Sequence, residues 1–262
     1  MDNMKWKVFL LLSIGFIFMI SCKGQYEDNK EWGVLFKKYK INGTFVLKNL
    51  SNNQLYIYNK ERSDSSYLPA STFKILNSMI ALQTSAIKSV NDTIKWDGKD
   101  KGWKPWNKDQ TMKSAMPISC VWFYQNLAKR IGKEKMQIWV DKANYGNKNT
   151  LKNIENFWLE GELRITANEQ IQFIEKMINN ELPFDKQIQE TVKEIMITDL
   201  KETYTIHSKT GWTNQIGWNV GYVETKNNKW IFAMNMDVLN KKDIKYRKRI
   251  TYEILKKEKI IK

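Results

Sequence analysis

Ser71 and Lys74 stand three residues apart in Tyr67-Leu68-Pro69-Ala70-Ser71-Thr72-Phe73-Lys74, and a hydroxyl beside an amine is the equipment of an activated serine nucleophile. Phe73, Ile75, Leu76, Met79, Ile80 and Leu82 follow the apolar spacing of a buried helix, which predicts one starting near Ser71. Residues i and i+3 share a helix face, so Lys74 hangs beside Ser71 Oγ. The unpaired N–H groups of the first turn favour a developing anion there. Ser-x-x-Lys has only two fixed positions and recurs by chance, so its meaning depends on distant partners.

Such partners exist. Lys209-Thr210-Gly211 closes a predicted strand, where glycine admits a second backbone while Lys and Thr present a cation and a hydroxyl. Ser119-Cys120-Val121 lies in a helical stretch, and Tyr145-Gly146-Asn147 and Phe157-Trp158-Leu159-Glu160-Gly161 fall between the two. Each is weak alone, but chance matches multiply and the ordered set is a strong signal. The lone His207 invites a triad with Ser71, yet the Ser/Lys pair leaves it no role; it reads as a strand residue near the site mouth. Cys120 reads as a small buried apolar residue, and with no His/Cys cluster a catalytic metal is not expected.

The elements that must position these residues follow from patterning. Trp32–Tyr39 reads as a short helix, and Gly43–Lys48 and Gln54–Tyr58 as a hairpin around Ser51-Asn52-Asn53. A loop over 60–70 leads to the buried helix, and aromatic-rich loops occupy 86–110. Helices are predicted from Met112, over Lys133–Asp141, from a Thr166/Glu169 capping box through Asn180, and after Pro183 to about Ile197. Tyr204–Lys209, Trp218–Glu224 and Trp230–Asp237 read as strands, and Ile244–Lys257 as a basic amphipathic helix. Strands at both ends enclosing a helical middle predict an α/β fold: an antiparallel sheet flanked by helices, with a helical subdomain inserted between its strands.

With 42% hydrophobic residues in 262, the chain can bury a large core, which excludes a disordered protein. The net charge of +15 raises the question of nucleic acid, but the lysines are spread along the chain without an arginine-rich or aromatic-interleaved block, so no nucleic-acid partner is expected. Attraction to an anionic membrane or cell-wall polymer would be electrostatic and salt-dependent. Lys5 and Lys7 precede the apolar run Val8–Ile20, too short to span a bilayer comfortably, so residues 1–22 read as a signal peptide and 23–262 as one catalytic domain. Export to the periplasm follows. The Met19-Ile20-Ser21-Cys22 junction resembles a bacterial lipoprotein processing site, which would anchor the chain to a membrane through lipid on Cys22. Only Cys120 remains in the body of the chain, so the mature protein has no internal disulfide.

From Trp32 to Ile260 the sequence resembles the class D β-lactamases, or oxacillinases, within the serine β-lactamase and penicillin-binding-protein superfamily. Besides the motifs, the likeness includes Lys95-Trp96-Asp97-Gly98 and Phe232-Ala233-Met234-Asn235-Met236-Asp237; Ser119-Cys120-Val121 departs from the Ser-Asp-Asn of class A enzymes. The resemblance implies that Ser71 is acylated and that Lys74, N-carboxylated by carbon dioxide, is its general base. No other cofactor is implied. Val121, Trp158 and Leu159 match the carbamate pocket, with the Trp158 indole as donor. Ser119 and Lys209 would relay a proton to the lactam nitrogen, and the backbone N–H groups of Ser71 and Trp212 would form the oxyanion hole. Arg247, with Thr210, matches the anchor of the substrate carboxylate, Arg249 being the rival; Tyr145 and Asn147 match a rim motif of structural character.

The resemblance thus implies hydrolysis of small-molecule β-lactams, penicillins foremost, by a monomer or homodimer. The loop 212–217 looks shorter than in carbapenem-hydrolysing relatives, which puts carbapenems in doubt. Two rivals are a β-lactam sensor domain that is acylated without turnover and a penicillin-binding D,D-peptidase.

Overall fold

The β-branched and aromatic runs at the two ends of the chain meet in one sheet. The computed structural model describes residues 26–262. Lys5, Lys7, the run Val8–Ile20, Cys22 and the polar residues 23–25 lie outside the described residues. In chain order the elements are β1 (Tyr26–Asp28), α1 (Gly33–Lys38), β2 (Gly43–Asn49), β3 (Leu55–Tyr58), α2 (Lys60–Asp64), α3 (Lys74–Gln83), α4 (Met112–Ala115), α5 (Val121–Ile131) and α6 (Lys133–Lys142). Then follow α7 (Ala167–Ile178), α8 (Lys186–Ile195), β4 (Ile197–Leu200), β5 (Tyr204–Trp212), β6 (Ile216–Thr225), β7 (Lys229–Asp237) and α9 (Tyr246–Lys257).

The sheet order is β1-β3-β2-β7-β6-β5-β4, so the N-terminal strands β1 to β3 form one side and the C-terminal strands β4 to β7 the other, meeting at β2 and β7, with the helices α2 to α8 inserted between β3 and β4 in the chain. β2 pairs with β7 in full antiparallel register from Gly43↔Met236 to Asn49↔Trp230. The fold class is as the patterning predicts, with one correction. β1 runs parallel to β3, so the sheet is mixed; three residues flanked by charge carry too little pattern to be read as a strand. One apolar core lies between the sheet and the helical subdomain, and a second, built on Trp32, Phe36, Phe45, Ile250 and Ile254, lies under α1 and α9 on the other face.

Three further expectations change. Within the stretch read as loop, Lys60–Asp64 is helical, started by Asn59, whose side chain accepts from Arg62 N at 3.2 Å. That turn places Arg62 to donate to Asn235 and Asp237, at 2.7 Å each, across the sheet. The helix predicted to reach Ile197 ends at Ile195, and Ile197 opens β4. Last, Ser71 lies in a 3₁₀ turn over Ala70–Phe73, and α3 proper begins at Lys74.

Candidate active site

The 3₁₀ turn that carries Ser71 is braced from three sides. Trp218 Nε1 donates to Leu68 O at 2.9 Å, and Thr72 Oγ1 donates to Pro69 O at 2.7 Å while accepting from Gln170 at 2.9 Å. From below, β5 presses on the turn at Gly211: a methyl added there would meet Pro69 O at 2.9 Å and Ala70 Cβ at 3.2 Å. Glycine is thus required because two backbones share the space a side chain would fill. Ala70 has φ +50, a left-handed conformation costing an L-residue about 1 kcal/mol, held here by the surrounding contacts.

The Lys74 ammonium lies 2.8 Å from Ser71 Oγ, within hydrogen-bond distance, and its side chain is 0% exposed. Its Nζ also lies 5.3 Å from the Tyr124 ring centroid. Burial lowers its pKa from 10.5 to about 7, outweighing an opposing effect of Cys120. Cys120 is itself fully buried, and burial raises its thiol to about 11, so it stays neutral. Tyr124 follows Cys120 at i+4, one face of α5, though nothing in its residue type marks it as a neighbour of Lys74.

On the opposite wall Lys209 Nζ donates to Ser119 Oγ and to Thr210 O, the latter at 2.9 Å. Burial first, and then the positive charges of Lys74, Arg247 and Lys248, hold Lys209 well below the usual lysine range. Ser119 has φ +52, so strained backbone occurs at both hydroxyl-bearing positions of the site, in Ser119 and beside Ser71. Ser71, Ser119, Val121, Leu159, Thr210, Trp212 and Arg247 all line a cleft of about 950 Å³. Lys74 and Lys209 lie buried at its floor. Trp158 does not line it; the ring is buried against Phe73 at 5.5 Å, and its Nε1 has no hydrogen-bond partner among the described residues.

Arg247 donates to Gly211 O at 2.8 Å, and burial lowers its pKa to about 10, which leaves it cationic at neutral pH. The rival Arg249 points elsewhere, donating to Glu253 at 3.1 Å over the Tyr39 ring. Lys101, Lys241 and Lys248 add to the positive wall, and among the described residues Glu160 is the one acid lining it, so the cleft suits an anionic ligand. Trp103 and Trp106, read only as loop packing, form part of this wall, with Trp106 fixed by donation to Ile118 O at 3.1 Å.

Two expectations are corrected. Tyr145 and Asn147 do not line the cleft, and their contacts are of the structural kind expected of them. Tyr145 is buried edge-on to Phe73, and Asn147 ties down the segment before α7 by donating to Glu162 O at 2.8 Å and accepting from Arg164 N at 3.0 Å. Gly146 between them has φ +53, and a Cβ there would lie 2.0 Å from Arg164 O. His207 is not at the mouth. It is buried, with Nδ1 2.8 Å from Lys193 O and its ring stacked on Tyr222 at 4.3 Å, and burial pushes its pKa down.

Residues 39–256 match the model of the penicillin binding protein transpeptidase domain. The chain is 40% identical to beta-lactamase OXA-48 of Klebsiella pneumoniae over 97% of both chains. It is 38% identical to beta-lactamase OXA-10 of Pseudomonas aeruginosa over 91% of this chain and 92% of that one. Among solved structures, FUS-1 (OXA-85), a class D beta-lactamase from Fusobacterium nucleatum subsp. polymorphum, superposes with a TM-score of 0.88 at 37% identity, covering 90% of this chain and all of the other.

Proposed function

The chain belongs to the class D β-lactamases, within the penicillin-binding-protein transpeptidase family, and from that premise we propose that it hydrolyses β-lactam antibiotics, penicillins foremost, through an acyl-enzyme on Ser71. The observation that carries this reading is the buried pair of Ser71 Oγ and Lys74 Nζ, 2.8 Å apart, with the amine held near pH 7 by its surroundings. An amine half-neutral at pH 7 can take the serine proton, which an exposed lysine cannot.

Ser71 Oγ then attacks the lactam carbonyl carbon, and the developing oxyanion accepts from the N–H groups of Ser71 and Trp212. The close approach of β5 to the Ser71 turn at Gly211 supports that pairing. As the ring C–N bond breaks, Ser119 gives its proton to the nitrogen and regains one from Lys209, whose lowered pKa eases the release of that proton. Arg247 and Thr210 hold the substrate carboxylate.

A neutral buried amine also adds carbon dioxide, losing a proton to give a carbamate, and Lys74 fits that chemistry. The Trp158 indole, buried and without an acceptor among the described residues, is a ready donor, and Val121 and Leu159 are apolar walls. When formed, the carbamate supplies an anionic oxygen base able to activate water for deacylation. This favours hydrolysis over a sensor domain, in which the acyl group persists. The β5–β6 turn, residues 213–215, is short, and carbapenems stay outside the proposal.

The test is turnover of a penicillin by the purified protein, with and without bicarbonate, alongside mass spectrometry of Ser71. Turnover that rises with bicarbonate supports the reading, whereas an adduct on Ser71 that never clears makes the protein a sensor. Export by residues 1–22 with lipid on Cys22 belongs to the same proposal. Labelled fatty acid should enter wild type and not Cys22→Ser; equal labelling, or none, overturns the anchor.

A further inference from the structure

The charge of the chain is not evenly spread over the fold. Residues Lys241–Lys262 hold ten basic and three acidic side chains, a net +7 of the total +15. Of the ten exposed residues in that stretch all but Glu258 are Lys or Arg. The acids are already engaged: Glu258 accepts from Trp32 Nε1 at 2.7 Å, Glu253 from Lys38 at 3.2 Å and Arg249 at 3.1 Å, and Asp243 from Asn240 N at 3.2 Å. Lys242, Lys245, Lys256 and Lys259 have no carboxylate within ion-pair distance among the described residues.

Lys245, Lys248, Tyr252 and Lys256 fall at i, i+3, i+7 and i+11, the spacing of one helical stripe, while Ile250, Thr251, Ile254 and Leu255 are buried against the sheet. Just before this stripe Leu239 is 86% exposed, an apolar side chain at the edge of a cationic surface. α1 lies beside α9, joined by the Lys38–Glu253 ion pair at 3.2 Å, and the turn before α1 meets the end of α9 through the Trp32–Glu258 bond and the Lys257–Glu31 ion pair at 2.7 Å. Cys22 precedes Tyr26, the first described residue, by four positions, at most about 14 Å of extended backbone.

We propose that the outer face of α9, with the Leu239–Lys245 approach, docks on the surface of an anionic lipid bilayer. Ammonium groups without internal partners suit phosphodiester headgroups, and a polybasic surface is drawn to the negative potential of such a bilayer. Among the described residues no helix is long and apolar enough to cross a membrane, so the contact is one of surfaces. Arg247 and Lys248 reach the cleft from the same helix, and docking sets the cleft mouth close to the bilayer. The inference stands apart from the hydrolytic reading.

The experiment measures binding of the protein purified from expressing cells to vesicles of phosphatidylcholine alone and of phosphatidylcholine with phosphatidylglycerol. Wild type should prefer the anionic vesicles at least tenfold at about 50 mM salt and lose the preference near 500 mM, where the screening length falls to about 4 Å. The combined variant Lys245→Glu, Lys256→Glu and Lys259→Glu should lose that preference while keeping the wild-type circular dichroism spectrum and cooperative thermal unfolding, which report an intact fold. The corresponding Lys→Gln variant should fall between. Equal binding to both vesicle types, an unchanged preference in the Glu variant, or tighter binding to a DNA duplex than to the vesicles would overturn the proposal.

Discussion

Lys74 makes the site and weakens the fold, and Lys74→Met separates the two effects. The amine is fully buried with its pKa moved from 10.5 to about 7, which at 1.36 kcal/mol per pH unit corresponds to about 5 kcal/mol of stability forgone. Methionine fills similar space without a charge, and losing the hydrogen bond to Ser71 returns about 1 kcal/mol, so the variant should be about 4 kcal/mol more stable at pH 6. The pH dependence has a definite sign. Below pH 7 the lysine is protonated in both folded and unfolded chains and the whole penalty is present. Between pH 7 and 10.5 the unfolded chain holds a proton the folded one has released, so wild-type stability rises with pH and the gap narrows, to about 1–2 kcal/mol at pH 9. Urea unfolding followed by tryptophan fluorescence in carbon-dioxide-free buffer at pH 6 and 9 measures this. A variant no more stable than wild type at pH 6, or a gap equal at both values, would refute the reasoning.

Trp158→Phe removes the indole donor but keeps an aromatic ring against Phe73; penicillin turnover should fall about 100-fold, with adduct accumulating on Ser71 and partial recovery in excess bicarbonate. Normal turnover without bicarbonate would make Trp158 a packing residue only. Arg247→Ala deletes a charge-assisted contact of about 2 kcal/mol, so KM for a penicillin should rise about 30-fold with kcat little changed, as steady-state kinetics would show. Gly146→Ala drives a methyl to 2.0 Å from Arg164 O at a positive φ; we expect a loss of about 2–4 kcal/mol in a denaturant titration, with near-normal activity in the molecules that remain folded.

What could be read in advance was whatever rests on period and composition. The alternating aromatic and β-branched residues of β5, β6 and β7 and the Thr166/Glu169 capping box made those elements legible, and both sides of that box close in the structure. β4 was not legible because Ile197–Leu200 continues a helical sequence and becomes a strand only through β5 beside it. For the site, residue type and motif order pointed to Ser71, Lys74, Ser119 and Lys209, and the packing of a backbone against Gly211 was foreseen. Long-range packing supplied the remainder. Nothing local to Tyr145 says that Phe73 will cover it, and nothing in Arg247 or Arg249 tells which will turn toward the cleft until Glu253 and Tyr39 claim the second. Similarly, the left-handed backbone at Ala70 and Ser119 violates local preference and is imposed from outside.

The place of β7 in the sheet has a consequence for how the molecule comes into being. This strand sits at the centre, between β2 and β6, yet it is the last to leave the ribosome, and α9, which covers it, is later still. Until β7 is made, the N-terminal part of the sheet is the small set β1-β3-β2, with the edge of β2 that β7 will cover left open. Closing the β2–β7 ladder joins positions as far apart as Gly43 and Met236, so folding depends on distant pairings and should be slow. A nascent chain of this topology lacks the central ladder of its sheet until the last strand has been made.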